Sequence, residues 1–289
     1  MSRLALALLR AAHRLPLPLL RAIGAALGML LFAAAGERRR VAQANLAACL
    51  PALDRAARAR LVAAAFRHFA QGLVDRAVLW HAAPERVRAL VAVEGEEHLD
   101  RAAGRPVILL APHFVGLDAA WTRLTMDRRM ATTYARQKDR AFDAALAAGR
   151  ARFNAPVLLS RQDGARAALR ALRAGLPYYL LPDMDLGARD AVFAPFFGVP
   201  AATVTTVSRL ARLTGAAVLP CVATLTPSGY RVVIHPAWTG FPGAGVEEDT
   251  RRMNAFIEDR VREAPAQYHW LHKRFKTRPP GAAPIYGAP

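Results

Sequence analysis

The chain has 289 residues, of which 54% are hydrophobic and 21% are charged. This composition supplies a core for one large domain or two small ones and excludes a chain that is disordered as a whole. Its two cysteines, Cys49 and Cys221, cannot form a disulfide framework. The formal net charge of +18 suits an anionic surface, but we expect no nucleic-acid partner, because the sequence has no nucleic-acid motif and no basic run interleaved with stacking aromatics.

The N-terminal stretch, residues 4–35, is hydrophobic. The segment from Leu15 to Ala35 carries one charge, on Arg21, whose long stem can reach a membrane interface. Three interpretations stay open: a helix that spans the membrane, a helix that lies in the membrane surface, and a cleaved signal peptide. The three arginines at 38–40 resist translocation, so we expect the rest of the chain on the cytoplasmic side of the inner membrane. We therefore predict a membrane-anchoring hydrophobic helix over residues 1–36 and one further domain over 37–289.

The remainder of the sequence predicts an α/β fold. Residues 37–82 form helices that are split at Pro51. From Val91 onward, strands alternate with helices of about a dozen residues, which is typical of a largely parallel sheet flanked by helices. A four-residue connection, 226–229, joins the last two strands as a hairpin and makes the sheet mixed. The predicted strands are 91–94, 107–111, 130–135, 156–159, 177–181, 216–225 and 230–235, and the helices between and after them are 117–126, 139–151, 163–174, 204–214 and 247–263.

The second predicted strand ends in a turn that carries His113, and the next helix begins with Asp118. Histidine is the side chain best suited to moving a proton near neutral pH. A nearby carboxylate can fix its tautomer, as the orienting group does in acyl-transfer sites. We therefore take His113 and Asp118 as candidate catalytic residues. A helix-capping histidine and a first-turn aspartate would need no such role, and the spacing alone does not separate the two interpretations.

Further polar side chains follow other strands, at the edge where active sites of parallel sheets collect. Arg136 and Lys138 come after the third strand and are candidates for substrate binding. Arg150 ends the next helix, where the helix dipole alone would favour a cation. Asp183 follows the fifth strand and could equally be a plain turn residue. No histidine or third carboxylate accompanies Asp183 and Asp185 in the sequence, so we predict no metal.

Four sequence blocks resemble a known family. HFVGLD, at residues 113–118, is similar to the His-x-x-x-x-(Asp/Glu) box of the glycerolipid acyltransferase superfamily. The blocks RRRVAQANLAACLP, LPDMDLGARDAVFAPFFGVPA and WLHKRFKTRPPG resemble one branch of it, the late acyltransferases of lipid A biosynthesis (lauroyl/myristoyl transferases). The resemblance extends from about Arg38 to Gly281. Many members carry glutamate where this chain has Asp118, so the distance from histidine to carboxylate is set by a different backbone here.

The resemblance implies a glycerolipid-acyltransferase-like fold and a membrane-bound enzyme. Such an enzyme moves a fatty acyl group from acyl carrier protein to a hydroxyl of a lipid A precursor. His113 would be the general base and Asp118 its orienting group, while Arg150 would hold a phosphate or the phosphopantetheine arm of the donor. The oxyanion would be stabilised by backbone amides after the turn or by Arg150. Asp183 would position Arg150 or substrate hydroxyls. The enzyme would need no cofactor of its own, because the acyl group arrives on the phosphopantetheine of the carrier protein.

Other functions fit the same residues. The acceptor could be a lysophospholipid, an ornithine lipid or a glycolipid, and water in its place would make the protein a thioesterase. A non-catalytic membrane-binding protein would need the amphipathic surfaces but not His113. The sequence has no Gly-x-Ser-x-Gly elbow, and neither cysteine has a histidine signature, so we expect direct transfer without a covalent acyl-enzyme.

Overall fold

The structure is a computed structural model that describes residues 3–287; residues 1–2 and 288–289, the ends of the two predicted domains, lie outside this range. Within it the chain alternates helices and strands as the sequence predicts. The helices are α1 (Arg3–Ala12), α2 (Leu17–Ala34), α3 (Gly36–Cys49), α4 (Arg55–His81), α5 (Pro84–Leu90), α6 (Glu96–Arg101), α7 (Leu117–Thr125), α8 (Arg140–Arg150), α9 (Gly164–Arg173), α10 (Thr206–Thr214) and α11 (Val246–Glu263). The strands are β1 (Val91–Glu94), β2 (Val107–Leu110), β3 (Ala131–Tyr134), β4 (Val157–Ser160), β5 (Tyr178–Leu180), β6 (Ala191–Phe196), β7 (Val199–Val204), β8 (Ala217–Thr226) and β9 (Gly229–Ile234).

Seven strands form the main sheet, in the order β1-β9-β8-β2-β5-β3-β4. Every neighbouring pair is parallel except β8 and β9, which pair antiparallel across the predicted hairpin from Thr226 to Gly229. The mixed, largely parallel sheet flanked by helices is therefore confirmed. Because β2, β5 and β3 are parallel neighbours, the loops that follow them emerge at one edge of the sheet.

The side chains of β2 divide the core into two layers. Ile108 and Leu110 pack into the layer that includes α9, α10 and α11, whereas Val107 and Leu109 pack into the layer that includes α5 to α8. All four are buried, as expected for a central parallel strand covered on both faces. The long helix α4 contributes to both layers, with its first half in one and its second half in the other. It therefore crosses the edge of the sheet where the loop after β2 lies.

The sequence prediction missed the antiparallel hairpin β6–β7, which forms a separate two-stranded sheet. The stretch is a nearly continuous apolar run interrupted by Pro195 and Pro200, so it lacks the alternation that identifies a strand. Phe196 is fully buried against Tyr268 and Phe275, while Phe193 is exposed. The hairpin therefore helps to fill the core beside the C-terminal segment.

Helix α2 packs along α4. By length and composition it is the one helix in residues 3–287 that could cross a membrane. A Cβ added to Gly24 would lie 2.7 Å from the Cα of Gln71, and one added to Gly28 would lie 2.6 Å from the Cα of Arg67. Two glycines four residues apart are typical of helices whose backbones approach closely. The division of the chain at residue 36 stays a prediction, but α2 packs against α4, which lies beyond that boundary.

A buried ion pair joins the same two helices. The carboxylate of Asp75 in α4 lies 3.2 Å from Nη2 of Arg21 in α2, and it accepts a 2.6 Å hydrogen bond from the hydroxyl of Tyr230 in β9. Arg21 also donates to the carbonyl of Gly229, at 3.1 Å. Burial raises the pKa of Asp75, and Arg21 and Tyr230 oppose this effect. The charge of Arg21, which interrupts the apolar segment in the sequence, therefore has a partner inside the protein.

Candidate active site

His113 and Asp183 form a hydrogen-bonded pair at the edge of the sheet. Nδ1 of His113 lies 2.6 Å from Oδ1 of Asp183, and the backbone amide of His113 donates to Oδ2 of Asp183 at 2.9 Å. The Asp183 side chain is 1% exposed, whereas that of His113 is 19% exposed. The carboxylate is thus fixed inside the protein, and the imidazole presents its other nitrogen, Nε2, toward the surface.

The electrostatics of the pair favour an ionised Asp183. Burial alone would raise the pKa of this carboxyl, but attraction to His113 and the two hydrogen bonds from His113 outweigh burial and lower the pKa to about 2. An ionised carboxylate on Nδ1 fixes the neutral tautomer with its proton on that nitrogen. It also stabilises the imidazolium that forms when Nε2 accepts a proton.

Asp118 does not contact His113. Its Oδ1 accepts from Nε and Nη2 of Arg150, at 3.0 and 2.6 Å, and its Oδ2 accepts from Nε and Nη2 of Arg76, at 2.9 and 2.6 Å. No hydrogen bond or ion pair joins Asp118 to His113 in the described part of the chain. The expectation that Asp118 orients His113 is therefore replaced by a different arrangement: Asp183 orients the imidazole, and Asp118 holds two arginines.

The cluster of Arg76, Asp118 and Arg150 has two positive charges and one negative charge. Burial would raise the pKa of Asp118, but the charges of Arg150 and Arg76 and their hydrogen bonds hold it well below its usual range. Each arginine side chain is less than one-fifth exposed. The Nη1 groups of both arginines form no hydrogen bond within residues 3–287, so each guanidinium keeps donors for an anion.

Close packing of α8 against α4 places Arg150 in this cluster. A Cβ on Gly149 would lie 2.5 Å from atoms of the Trp80 ring, so only glycine allows this approach. The indole nitrogen of Trp121 donates to the carbonyl of Arg150 at 2.9 Å. Arg76 reaches Asp118 from α4 and lies over the ring of Trp80. The tryptophans of α4 and α7 therefore set the position of Arg150.

The C-terminal segment forms part of the site, which the sequence analysis did not predict. Phe114 and Tyr268 form an isolated antiparallel bridge, and the amide of His269 donates to the carbonyl of His113 at 3.0 Å. The amide of Val115 donates to the carbonyl of Gln267 at 2.9 Å. Two signals in the sequence mark this segment: the block WLHKRFKTRPPG, which carries part of the family resemblance, and the many aromatic and basic residues at 268–278.

The same segment also holds the loop after β5. Asp185 is buried and accepts hydrogen bonds from the amide and the hydroxyl of Thr277, at 2.6 and 2.8 Å. The amide of Asp185 donates to Nε2 of His272 at 3.0 Å. Asp185 is thus a structural residue, and the two loops that carry His113 and Asp183 are fixed by one stretch of chain.

Arg136 and Lys138 lie in the loop after β3, at the same edge of the sheet as His113 and Asp183, and both are exposed. The loop is stabilised by Asp143, which accepts from the amide of Gln137 at 2.8 Å. The structure shows no contact between these two basic residues and His113, so their role in substrate binding stays a prediction. The described residues contain no cluster of three or more metal-ligating side chains.

The family described as bacterial lipid A biosynthesis acyltransferase matches residues 2–277. The chain belongs to this family. It is therefore an acyltransferase, and the resemblance seen in the four sequence blocks is confirmed. The chain is 32% identical over 278 residues to the lipid A biosynthesis palmitoleoyltransferase of Escherichia coli (strain K12), with 94% of this chain and 90% of that protein covered. It is 31% identical over 278 residues to the lipid A biosynthesis lauroyltransferase of the same organism, with the same coverage.

Among solved structures, PlsC from Thermotoga maritima, a 1-acyl-sn-glycerophosphate acyltransferase, aligns with a TM-score of 0.42 at 14% identity. The alignment covers 86% of this chain and 98% of that one. This likeness is too distant to support a conclusion about the present chain. Assignment to the family rests on the matches over nearly the whole sequence.

Proposed function

We propose that this protein is a membrane-bound enzyme that transfers a fatty acyl group from acyl carrier protein to a hydroxyl of a lipid A precursor. The observation that carries the mechanism is the contact between His113 and the buried Asp183. Family membership supports acyl transfer in lipid A biosynthesis, and the relatives are named for the transfer of palmitoleoyl and lauroyl groups.

The reaction follows from the geometry of the pair. Nε2 of His113 removes the proton of the acceptor hydroxyl while the hydroxyl oxygen attacks the thioester carbonyl of the donor. The tetrahedral intermediate collapses, the carbon–sulfur bond breaks, and the thiolate leaves with the proton that His113 has taken. Asp183 holds the ring and stabilises its protonated form. General-base assistance of this kind contributes about 10²–10⁴-fold to the rate.

The excess positive charge beside the site supports an anionic substrate. Arg76 and Arg150 share the single carboxylate of Asp118, and their unused Nη1 donors match the oxygens of a phosphate. The phosphate belongs either to the phosphopantetheine arm of the donor or to the lipid acceptor. An Arg150→Ala variant that raises the KM for one substrate alone would identify which of the two binds here.

Acyl carrier protein is the proposed donor because its acidic surface complements the basic edge of the sheet. Arg136 and Lys138 are exposed at that edge. Charges separated by more than about 8 Å are largely screened at physiological ionic strength, so docking should weaken as salt is added. We expect kcat/KM for the acylated carrier to fall with ionic strength more steeply than kcat. An equally steep fall for an uncharged acyl thioester would contradict carrier docking.

Membrane binding is supported by the position of the exposed apolar side chains. Of the ten large hydrophobic residues that the described chain exposes, seven lie in α1 and α2: Leu4, Leu8, Leu19, Ile23, Leu27, Met29 and Leu30. Because the opposite face of α2 packs on α4, we favour a helix that lies in the membrane surface over one that spans it. The arginines at 38–40 resist translocation and support the proposal that His113 and Asp183 lie on the cytoplasmic side of the inner membrane.

Lipid analysis tests the proposed function directly. Mass spectrometry of membrane lipids from cells with and without the gene should show lipid A that lacks one acyl chain when the gene is absent. The purified protein should acylate a lipid A precursor in the presence of the acylated carrier. Loss of acyl groups from another lipid class would indicate a different acceptor, and release of free fatty acid without acceptor would indicate a thioesterase.

A further inference from the structure

A second imidazole lies beside the catalytic base. The ring centroids of His269 and His113 are 6.2 Å apart, and the two ring planes are inclined by 32°. Phe69 of α4 also packs on His269, with its ring centroid at 5.6 Å. His269 is therefore the aromatic neighbour that the C-terminal segment brings to His113.

The backbone fixes the position of His269 relative to His113. The amide of His269 donates to the carbonyl of His113 at 3.0 Å, so the two residues are coupled at the main chain. The residues on either side, Tyr268 and Trp270, are buried and pack on each other with ring centroids 5.0 Å apart. The His269 side chain therefore leaves an anchored stretch of backbone and has little freedom to move away from the site.

The ring of His269 is uncharged and has unused hydrogen-bonding capacity. Burial, followed by the charges of His113 and His272, lowers the pKa of His269 to about 3. A neutral imidazole has one N–H donor and one acceptor nitrogen. Neither ring nitrogen forms a hydrogen bond within residues 3–287, in contrast to His272, whose Nε2 accepts from the amide of Asp185. His269 thus offers a neutral donor beside the general base.

We propose that His269 is a second catalytic residue, whose ring N–H donates a hydrogen bond to the thioester carbonyl oxygen as that oxygen becomes negatively charged. This inference rests on the proposed acyl transfer. The proton stays on His269 throughout, while the proton of the acceptor hydroxyl passes to His113 and then to the departing thiolate. A neutral imidazole is suited to the role because a group that stays uncharged donates without giving up its proton to the intermediate.

Steady-state kinetics on matched variants tests this role. His269→Phe keeps an aromatic ring against Phe69 but has no donor, so we expect kcat to fall by about 10²–10³-fold with little change in KM. His269→Gln retains an N–H donor and should therefore have a higher kcat than His269→Phe. His68→Phe is the control, because His68 is a half-buried histidine whose ring lies by the carbonyl of Ala266 rather than by His113. It should have near-normal kcat.

A double variant keeps the test informative if substitution also perturbs the fold. When two residues act in the same transition state, their effects on kcat are not independent. The fold-decrease in kcat of the double variant His113→Ala/His269→Phe should therefore be smaller than the product of the two single fold-decreases. A purely structural defect in His269→Phe would instead lower the thermal midpoint, and the fold-decrease in kcat of the double variant would equal the product of the two single fold-decreases. Wild-type kcat in a folded His269→Phe protein would overturn the inference. Full activity of His113→Ala would overturn the proposed mechanism itself, so the two failures are distinguishable.

Discussion

His113 and Asp183 occupy equivalent positions after two paired strands. Leu110 of β2 lies opposite Leu180 of β5 in the parallel register, and His113 and Asp183 each follow three positions later. In both loops the preceding residue is a proline, Pro112 or Pro182. Proline ends the strand because it has no N–H donor, and it restricts the residue before it to an extended conformation. The register therefore brings the histidine and the carboxylate together, at 2.6 Å, although 70 residues separate them in sequence.

This relationship predicts different effects for the two aspartates of the site. Asp183→Asn should lower kcat by about 10²–10⁴-fold, because the amide no longer holds the productive tautomer of His113 or stabilises its imidazolium. Asp118→Asn should mainly lower stability, by about 3 kcal/mol, because it leaves two partly buried guanidiniums without their carboxylate. Kinetics and thermal unfolding of both variants would check this. A stable, inactive Asp118→Asn protein beside a fully active Asp183→Asn protein would reverse the assignment.

The sequence predicted the main sheet closely because its strands are short apolar runs between helices. The predicted strand 107–111 corresponds to β2 (Val107–Leu110), and the predicted helix 139–151 corresponds to α8 (Arg140–Arg150). The patterns failed where the periodicity is weak: in the hairpin β6–β7 and in the short helices α5 and α6. These elements depend on tertiary packing rather than on a repeating apolar face.

His113, Arg150 and Asp183 are candidate site residues from the sequence, and their functions stay predictions, but the sequence analysis paired His113 with Asp118, whereas the structure pairs it with Asp183. Asp118 is five residues from His113 along the chain, so spacing alone favoured it. To predict Asp183 as the partner of His113, one needs the order of the strands, because β2 and β5 are neighbours only in the folded sheet. Arg76 was missed for the same reason: nothing in the pattern of α4 indicates that it crosses the edge of the sheet. Residues 267–269 likewise reach the site through tertiary packing.

The contact between Gly149 and Trp80 predicts a defect from a single methyl group. Gly149→Ala should push α8 away from α4 and displace Arg150, which destabilises the fold by about 1–3 kcal/mol. Because the displaced residue is Arg150, the kinetic defect should resemble that of Arg150→Ala. Gly245→Ala is a suitable control, because a Cβ at that position meets nothing within 4 Å. Equal stability and kinetics of Gly149→Ala and wild type would contradict the role of this contact.

Membrane binding should depend on the exposed face of α2. Leu30→Glu replaces a side chain that is 68% exposed on that helix, and it should weaken binding to anionic vesicles by about 2 kcal/mol, roughly 30-fold. Leu213→Glu makes the same change at a 61% exposed position on α10, away from α1 and α2. Flotation of the full chain with vesicles should separate the two variants. Equal loss in both would show that binding is not localised to the N-terminal helices.

The half-buried His272 predicts a pH-dependent stability. Burial, followed by the charge of His113, lowers the pKa of His272 from the ordinary value of 6.5 to about 4. Between these two values the unfolded chain binds a proton that the folded chain does not, so the free energy of unfolding should decrease as pH falls through this range. His272→Gln keeps an acceptor for the amide of Asp185 but cannot titrate. Its loss of stability between about pH 7 and about pH 5 should be smaller, by on the order of 1 kcal/mol.

Urea unfolding of wild type and His272→Gln at the two pH values measures this difference. Replacement of His272 also removes its effect of lowering the pKa of His269, and this change reduces the loss of stability at low pH in the same direction. An identical pH dependence of the two proteins would contradict a neutral, half-buried His272.

The general base of the proposed acyl transfer is His113, held by Asp183. The most direct test of this role is the kcat of purified His113→Ala, assayed with an acylated carrier protein and a lipid A precursor in vesicles. We predict a fall of about 10²–10⁴-fold relative to wild type, in a protein that stays folded and still binds both substrates. A folded His113→Ala protein that transfers acyl groups at close to the wild-type rate would contradict this role of His113.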